Sequence, residues 1–357
     1  MAVSHSWGGL YRADMSKLST NRPTMNDVAA AAGVALKTVS RVVNDEPGVN
    51  PATAEKVRGA IEALGFRRND GARTLRRGQT SSIGVIVRDL ADPFYSTLTR
   101  AVEEVALTHG FLVFTGSCDE SSVRQRELAL AFCARRVDGV IIVPVGDDHL
   151  YLQPEISAGV AAVFVDRPAS NLDADAVLVD NTGGVRKGVE HLLSYGHRRI
   201  GYLGDAPDIF TAAERVRGYR DALTAAGLPI DPALVALAQP NRATIRASLE
   251  RMFLGPSPAT ALFTGNSRIT VAVLRELADL ASTGQGPKRR PALVCFDDFE
   301  VADLLTPGVT VIAQDPARIG RIAAELLFRR MEGGHAEIVR RELPTRLIPR
   351  GSGESPP

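Results

Sequence analysis

Small apolar residues recur at helical spacing in "TMNDVAAAAGVALKTVSRVVND", residues 24–45. Thr24 followed by Asp27 is a capping-box-like start, and Val28, Ala31 and Ala32 repeat along one helix face. Gly33 ends that run. From Leu36 to Asn44, Val39, Val42 and Val43 predict the buried stripe of a second helix, which leaves Leu36, Lys37, Ser40, Arg41 and Asn44 on the remaining face. A third helix is predicted with Asn50 as N-cap, Pro51 at its first position, Val57, Ile61 and Leu64 on one face, and Gly65 as its stop. Two short helices across a glycine turn make a helix-turn-helix candidate; the competing reading is a plain three-helix bundle with a solvated polar face.

From residue 81 the pattern changes to short β-rich apolar runs separated by helical stretches. Strands are predicted at 83–87, 111–116, 139–144, 161–166, 199–204, 260–265, 292–297 and 309–313. Continuous apolar strands alternating with helices predict parallel sheets covered on both faces, and the number of units predicts two lobes. Ligands of open α/β sheets bind outside the carboxyl ends of the strands, which singles out Asp89 to Tyr95, Asp166, Arg167, Asn266 and Asp297.

The chain has 357 residues, room for a small module and a large domain, and 45% of them are hydrophobic, enough for a real core. Cys118, Cys133 and Cys295 lack C-x-x-C spacing and read as packing residues in a reducing compartment. No run approaches the roughly 18 apolar residues of a membrane span. The opening segment 1–23 also lacks the apolar core of a signal peptide and reads as a disordered extension, with Met15 and Met25 as alternative starts. The tail "GSGESPP", 351–357, reads as disordered too. Charge adds an asymmetry that the net +1 conceals: residues 1–78 hold 12 Lys and Arg against 7 Asp and Glu, and the rest hold 30 against 34. A basic head on an acidic body is the footprint of a nucleic-acid-binding module joined to something else.

Residues 24 to about 350 resemble the lactose and galactose repressor family of bacterial transcription regulators. The resemblance is carried by "DVAAAAGVALKTVSRVVN", "GARTLRRGQTSSIGVIV", "DPFY", "GHRRIGYLG", "ERVRGY" and "FDD". It implies an all-α helix-turn-helix head (24–68), a hinge helix or linker (69–80), and a two-lobed α/β core like a periplasmic sugar-binding protein (81–350). The head residues implied at DNA are Thr24, Leu36, Lys37, Thr38, Ser40, Arg41 and Asn44. In such a motif the N-terminal residues of the second helix meet base edges, so Leu36 and Lys37 are expected to read sequence while Ser40, Arg41 and Asn44 grip phosphate. In the hinge, Asn69, Ala72 and Leu75 are implied at DNA, with Leu75 as a minor-groove wedge. Arg68 stands where relatives often have Pro, and Gly71 lies inside the expected hinge helix.

Implied effector residues are Asp89, Phe94, Tyr95, Asp166, Arg167, Arg215, Asn266 and Asp297. Arg215 matches the family arginine that holds ligand oxygens through its planar fork. Phe94 and Tyr95 read either as first-turn packing or as a stacking platform, and family position favours the platform. Asp166 and Arg167 read as ligand contacts or as a pair satisfying each other. Asp298 reads as structural as readily as functional, and Asp180 and Asn181 read as helix caps or as lobe contacts. His197, in "GHRRI", reads as part of a helix end and not as catalytic. Ser267 departs from the Asp often found there in relatives.

The function implied is a ligand-responsive regulator, usually a repressor, that binds a palindromic operator in double-stranded DNA as a homodimer and answers to a sugar or related metabolite in the cytoplasm. No cofactor, metal or membrane is expected. Two other classes fit the sequence less well. An enzyme lacks support because no H-E-x-x-H, Walker A, G-x-S-x-G or dinucleotide motif occurs. A sugar-binding protein without sequence-specific DNA binding, cytosolic or transport-associated, would fit the core but not the basic head.

Overall fold

In the computed structural model, which describes residues 22–67, 80–237, 241–333 and 337–357, Thr24 caps the first helix as its sequence demands. Its hydroxyl accepts the Asp27 N–H while the Asp27 carboxylate accepts the Thr24 N–H at 2.7 Å, closing α1 (Met25–Ala32). Gly33 ends it at φ +66°, where a side chain would be strained. α2 (Leu36–Val43) and α3 (Pro51–Leu64) complete the head, and the Asn50 side chain caps α3 by accepting the Ala52 N–H at 2.9 Å. Val28, Ala29, Val39 and Val57 are its buried centre, with Val34, Val42, Val43, Ile61 and Phe66 packed around them. Leu64 departs from expectation: at the last turn of α3 it is 37% exposed, and Ala54, not Leu64, joins Val57 inside.

The chain divides into two compact units, Met1–Gly78 and Gln79–Pro357. The second contains two lobes, each built on a six-stranded sheet. In lobe 1 the sheet runs β2 (Leu112–Ser117), β1 (Ser82–Val87), β3 (Gly139–Ile142), β4 (Ala161–Val165), β5 (Asp175–Val179) and β11 (Arg340–Leu343), all parallel. In lobe 2 the same order recurs as β7 (Val235–Leu237), β6 (Ile200–Gly204), β8 (Ala261–Thr264), β9 (Ala292–Phe296), β10 (Thr310–Ala313) and β12 (Arg346–Ile348), with only β12 antiparallel.

Period-two alternation divides each sheet between two helix layers. In lobe 1, Ile83, Val85, Ile141 and Val163 pack on α4 (Pro93–Thr108) and α11 (Pro316–Met331), while Ile86, Val140, Ile142 and Phe164 pack on α5 (Ser122–Ala134); α6 (Gln153–Ser157) is a short helix before β4. In lobe 2, Tyr202, Phe263, Val294 and Ile312 face α7 (Asn181–Ser194) and α8 (Phe210–Ala225). Leu203, Leu262, Leu293 and Val311 face α9 (Arg242–Phe253) and α10 (Ser267–Ser282). The chain passes between lobes at Asp180, at Gln314–Asp315 and at Pro344–Thr345, and each of the first two crossings ends in an aspartate that caps the next helix. Asp180 accepts the Gly183 N–H at 2.6 Å and Asp315 the Arg318 N–H at 2.8 Å.

Each predicted strand is present, with ends shifted by a residue or two; the strand expected to 144 stops at Ile142. Four strands were not foreseen: β5, β7, β11 and β12. The last three lie at sheet edges, where one neighbour and partial burial remove the apolar run that marks a central strand. The tail corrects another expectation, because residues 351–357 are ordered and pinned to lobe 2. Ser352 is buried, its Oγ accepts the Thr310 N–H at 2.9 Å, and its carbonyl accepts the Leu293 N–H at 2.8 Å. Glu354 accepts the Thr310 hydroxyl at 2.8 Å and pairs with His191, and the Ser355 carbonyl lies 2.8 Å from His197 Nε2. A polar composition reads as disorder only when its hydrogen bonds have no fixed partners, and here the core supplies them. The expected extension up to residue 21 and the hinge residues Asn69, Ala72 and Leu75, with Arg68 and Gly71, lie outside the described residues.

Candidate functional site

On the head, the polar residues singled out in α2 are on its outer side. Leu36 is 46% exposed, Lys37 and Asn44 are exposed, and Thr38, Ser40 and Arg41 are half-buried. Asn44 Nδ2 donates to Ser40 Oγ at 3.3 Å, one turn apart. Thr24 is exposed at the start of α1. An exposed leucine beside an exposed lysine at a helix start suits groove contact, since burial in the head's own core is left to Val39.

Within the core, the carboxyl ends of both sheets line one cleft of about 390 Å³, part of it open to solvent. Arg88, Asp92, Phe94 and Tyr95 follow β1, and Asp166 and Arg167 follow β4. From lobe 2 come Asp205 after β6, Asn266 and Ser267 after β8, Asp297 after β9, and Thr211 and Arg215 on α8; Gln314 sits at a crossing. Asp92 caps α4 by accepting the Phe94 N–H at 3.1 Å, which sets Phe94 and Tyr95 on its first turn with their rings edge to face, 5.0 Å apart.

Arg215 is held on three sides. Its Nε donates to Asn181 Oδ1 at 2.7 Å, its Nη1 donates to the Gly265 carbonyl at 2.7 Å, and its guanidinium lies 3.9 Å over the Phe296 ring. Nη1 also stands 3.7 Å from the Asp297 carboxylate. Gly218, one turn further along α8, makes this placement possible: a Cβ there would meet the Thr182 carbonyl oxygen of α7 at 2.3 Å, so only glycine lets the two helices approach. Across the cleft, Arg167 forms a two-pronged pair with Glu120 at 2.9 and 2.6 Å, and Arg88 donates to Asp92 at 2.9 Å. The Tyr95 hydroxyl donates to Asp166 at 3.3 Å.

Burial sets the protonation states. Desolvation raises the Asp166 and Asp297 carboxyls above the usual carboxylate range, against the pull of Arg167 and Arg215 on Asp166 and of Arg215 on Asp297. Desolvation also pushes the Tyr95 phenol far up, so it stays a hydrogen-bond donor. Three buried polar atoms on residues that line the cleft have no hydrogen-bond partner: Arg88 Nε, Arg167 Nε and Gln314 Oε1. A buried group left in that state costs about 1–3 kcal/mol, which a ligand hydroxyl would relieve. Two donors and one acceptor, carboxylates from both lobes and one aromatic face are what a polyhydroxylated molecule needs.

The structure brings together Phe94, Tyr95, Asp166, Arg167, Arg215, Asn266 and Asp297. Asp89 corrects the expectation, because it does not line the cleft; its carboxylate accepts the Ala91 N–H at 2.9 Å and shapes the turn that aims Asp92 inward. Arg167 pairs with Glu120 more closely than with Asp166, whose Oδ2 is 3.7 Å from its Nε. Asp298 is structural, gripped by Arg350 through two bonds of 2.6 Å. Asn181 both buttresses Arg215 and bonds the Val179 carbonyl at 3.0 Å. His197 is buried between Thr260 and the tail, while Arg198 donates to the Leu193 carbonyl at the end of α7. Asn266 caps α10 and donates to Asp205 at 2.6 Å, so a carboxylate stands beside Asn266 although Ser267 replaces the usual acid. Asp205 and Gln314 are not among the expected residues, yet both directly follow strands, the same signal that points to Asp166 and Asp297. The three cysteines are buried and form no disulfide, as expected of packing residues.

A basic helix-turn-helix head joined to two lobes closing on a polar cleft defines a ligand-responsive DNA-binding regulator, and comparison with known proteins agrees. Residues 24–69 match the bacterial regulatory proteins of the lacI family, and residues 189–353 match the periplasmic binding protein-like domain. The HTH-type transcriptional regulator CelR of Thermobifida fusca is 34% identical over 339 residues, 93% of this chain and 98% of that protein. A CelR–cellobiose complex superposes with a TM-score of 0.67 at 32% identity, covering 93% of this chain and 100% of the other. The lac repressor dimer bound to operator and an anti-inducer superposes with a TM-score of 0.80 at 25% identity, covering 94% and 100%. The chain belongs to the lacI family of bacterial transcriptional regulators.

Proposed function

We propose that this regulator is a repressor that binds a palindromic operator as a homodimer in the cytoplasm and is controlled by a sugar closing the cleft between its lobes. One observation carries the reading of the effector. Arg215 and Asp297 of lobe 2 and Tyr95 and Asp166 of lobe 1 converge on one polar space, and its lining residues carry unpartnered atoms, Arg88 Nε, Arg167 Nε and Gln314 Oε1, of the polarity that hydroxyl groups satisfy. The solved CelR complex with cellobiose and the operator-bound dimer of the lac repressor support the sugar and the dimer. Leu36 and Lys37 read bases; Thr24, Thr38, Ser40, Arg41 and Asn44 hold the backbone; Asn69, Ala72 and Leu75 add hinge contacts. No helix among the described residues is long and apolar enough to cross a membrane.

The cleft binds and does not react: Arg88, Arg167 and Arg215 are committed to ion pairs and hydrogen bonds, and Asp166 and Asp297 serve as acceptors for ligand hydroxyls. Selection of operator from random duplexes, repeated with a panel of sugars, tests the whole reading. A palindrome should emerge, one class of sugar should shift its occupancy, and mass spectrometry should recover that sugar unchanged. Selection of no common sequence, or consumption of the sugar, overturns it.

A further inference from the structure

One buried amide on α5 holds the peptide to which Arg167 donates. Gln125 is 1% exposed, and both polar atoms of its side chain are engaged: Nε2 donates to the Val143 carbonyl at 2.8 Å, while Oε1 accepts the Val145 N–H and faces His149 Nε2, both at 3.2 Å. The Pro144 carbonyl, in the same peptide plane as the Val145 N–H, accepts from Arg167 Nη1 at 3.3 Å. His149, fully buried, extends the grip to a second loop. Its Nδ1 accepts the Ser170 N–H at 3.1 Å, and its own backbone N–H donates to the Ser170 carbonyl at 3.1 Å, three residues beyond Arg167. We propose that Gln125, backed by His149, is a positioning residue for effector binding, which fixes the loops after β3 and β4 against each other and so aims the Arg167 guanidinium. The inference rests on the reading of Arg167 as an effector contact and deepens it.

The bonding pattern makes this clamp directional. In a trans peptide the N–H and C=O point opposite ways, so holding the Val145 N–H turns the Pro144 carbonyl toward Arg167. Burial lowers the His149 pKa and keeps the ring neutral, and the Ser170 N–H occupies Nδ1. The ring proton is therefore on Nε2 and is donated to Gln125 Oε1. A flipped Gln125 amide would set its NH2 against two N–H groups and its oxygen against the Val143 carbonyl, so one orientation is locked. Arg167 is thus anchored at both of its terminal nitrogens: Nη1 and Nη2 donate to Glu120 at 2.9 and 2.6 Å, and Nη1 is shared with Pro144. Nε alone has no hydrogen-bond partner, and a guanidinium fixed in this way cannot turn to find one. It is a donor held ready for an oxygen of the effector.

Calorimetry on the full-length protein tests the role, with glucose, xylose, ribose and cellobiose as probes. Gln125→Met keeps an unbranched side chain of similar length and removes all three bonds. For the probe that binds most tightly it should weaken affinity about tenfold, within the range of coupling between residues of one hydrogen-bond network. Operator affinity without sugar should stay unchanged, which also shows that the variant is folded. Phe132→Leu, a packing change two turns along the same helix, should lower the melting temperature and leave probe affinity unaltered. Nuclear magnetic resonance reads Arg167 itself: its Nε–H signal, assigned by its absence from Arg167→Lys, should shift in Gln125→Met and keep its place in Phe132→Leu. Undiminished probe affinity or an unmoved Nε–H signal in Gln125→Met, or an equal loss of affinity in Phe132→Leu, overturns the positioning role and leaves the effector cleft standing. Absence of binding by every probe overturns the sugar reading, and the role in effector binding with it.

Discussion

Asp166 and Asp297 occupy the same position in the two lobes. Each directly follows the fourth strand in sheet order, each adopts a left-handed backbone, φ +68° and +71°, and each donates its N–H at 3.0 Å to the neighbouring strand, to Val177 and Ile312. The left-handed turn costs a non-glycine residue of order 1 kcal/mol, and what it achieves here is to lift two carboxylates off the strand ends into one cleft.

This pairing predicts a pH dependence. Because burial raises both carboxyls, the folded protein holds protons at pH values where the unfolded chain, with an ordinary Asp near about 3.9, has released them. The stability of the ligand-free core should therefore fall as pH rises from that value through the raised folded one, and level off beyond it. A sugar hydroxyl donates to the ionised carboxylate, so effector affinity should rise over the same interval. Melting temperature and calorimetric affinity against pH check both signs, and Asp297→Asn should flatten both curves; an affinity that rises on acidification refutes the assignment.

Arg215, proposed as an effector contact, is held in place by Asn181 and the Gly265 carbonyl. Arg215→Ala should abolish the effector response while leaving operator affinity intact. Asn181→Ala, which removes the acceptor for Nε, should weaken effector binding about tenfold, or ~1.4 kcal/mol. Arg215→Lys should fail to restore binding, since an ammonium cannot donate along the two directions that Nε and Nη1 use. Unchanged calorimetric affinity in Asn181→Ala would show that Asn181 does not orient the guanidinium.

For the head, Lys37→Ala should cost about 1–3 kcal/mol at particular base positions and little elsewhere. Arg41→Ala should instead weaken all duplexes alike and shallow the salt dependence. Uniform loss across sequences for Lys37→Ala would move it to the phosphate-contact group.

Ser352→Ala removes the acceptor from the buried Thr310 N–H, and so should destabilise the core by about 1–3 kcal/mol without touching the cleft. Thermal unfolding should report a lower melting temperature with effector affinity preserved. No change in melting temperature would mean that the tail does not brace lobe 2.

The head and the central strands other than β5 are legible along the chain because their causes are local: Thr24, Gly33, Asn50 and Gly65 punctuate the helices, and short apolar runs such as "IGVIV" bounded by polar residues mark buried strands. Strand ends located most of the cleft by the same logic. What depended on the folded core is of another kind. Arg167 pairs with Glu120, 47 residues away; Asp205 takes the place of the missing acid beside Asn266; Asp89 turns away while Asp92 points in; and the polar tail is fastened by Thr310, His191 and His197. Apart from the local Asp89 turn, these partners are far apart in sequence, and each has several chemically equal alternatives. Local spacing says which residues form an element and which end of it faces a ligand; only packing of the sheets decides which of many carboxylates, guanidiniums and hydroxyls stand within bonding distance.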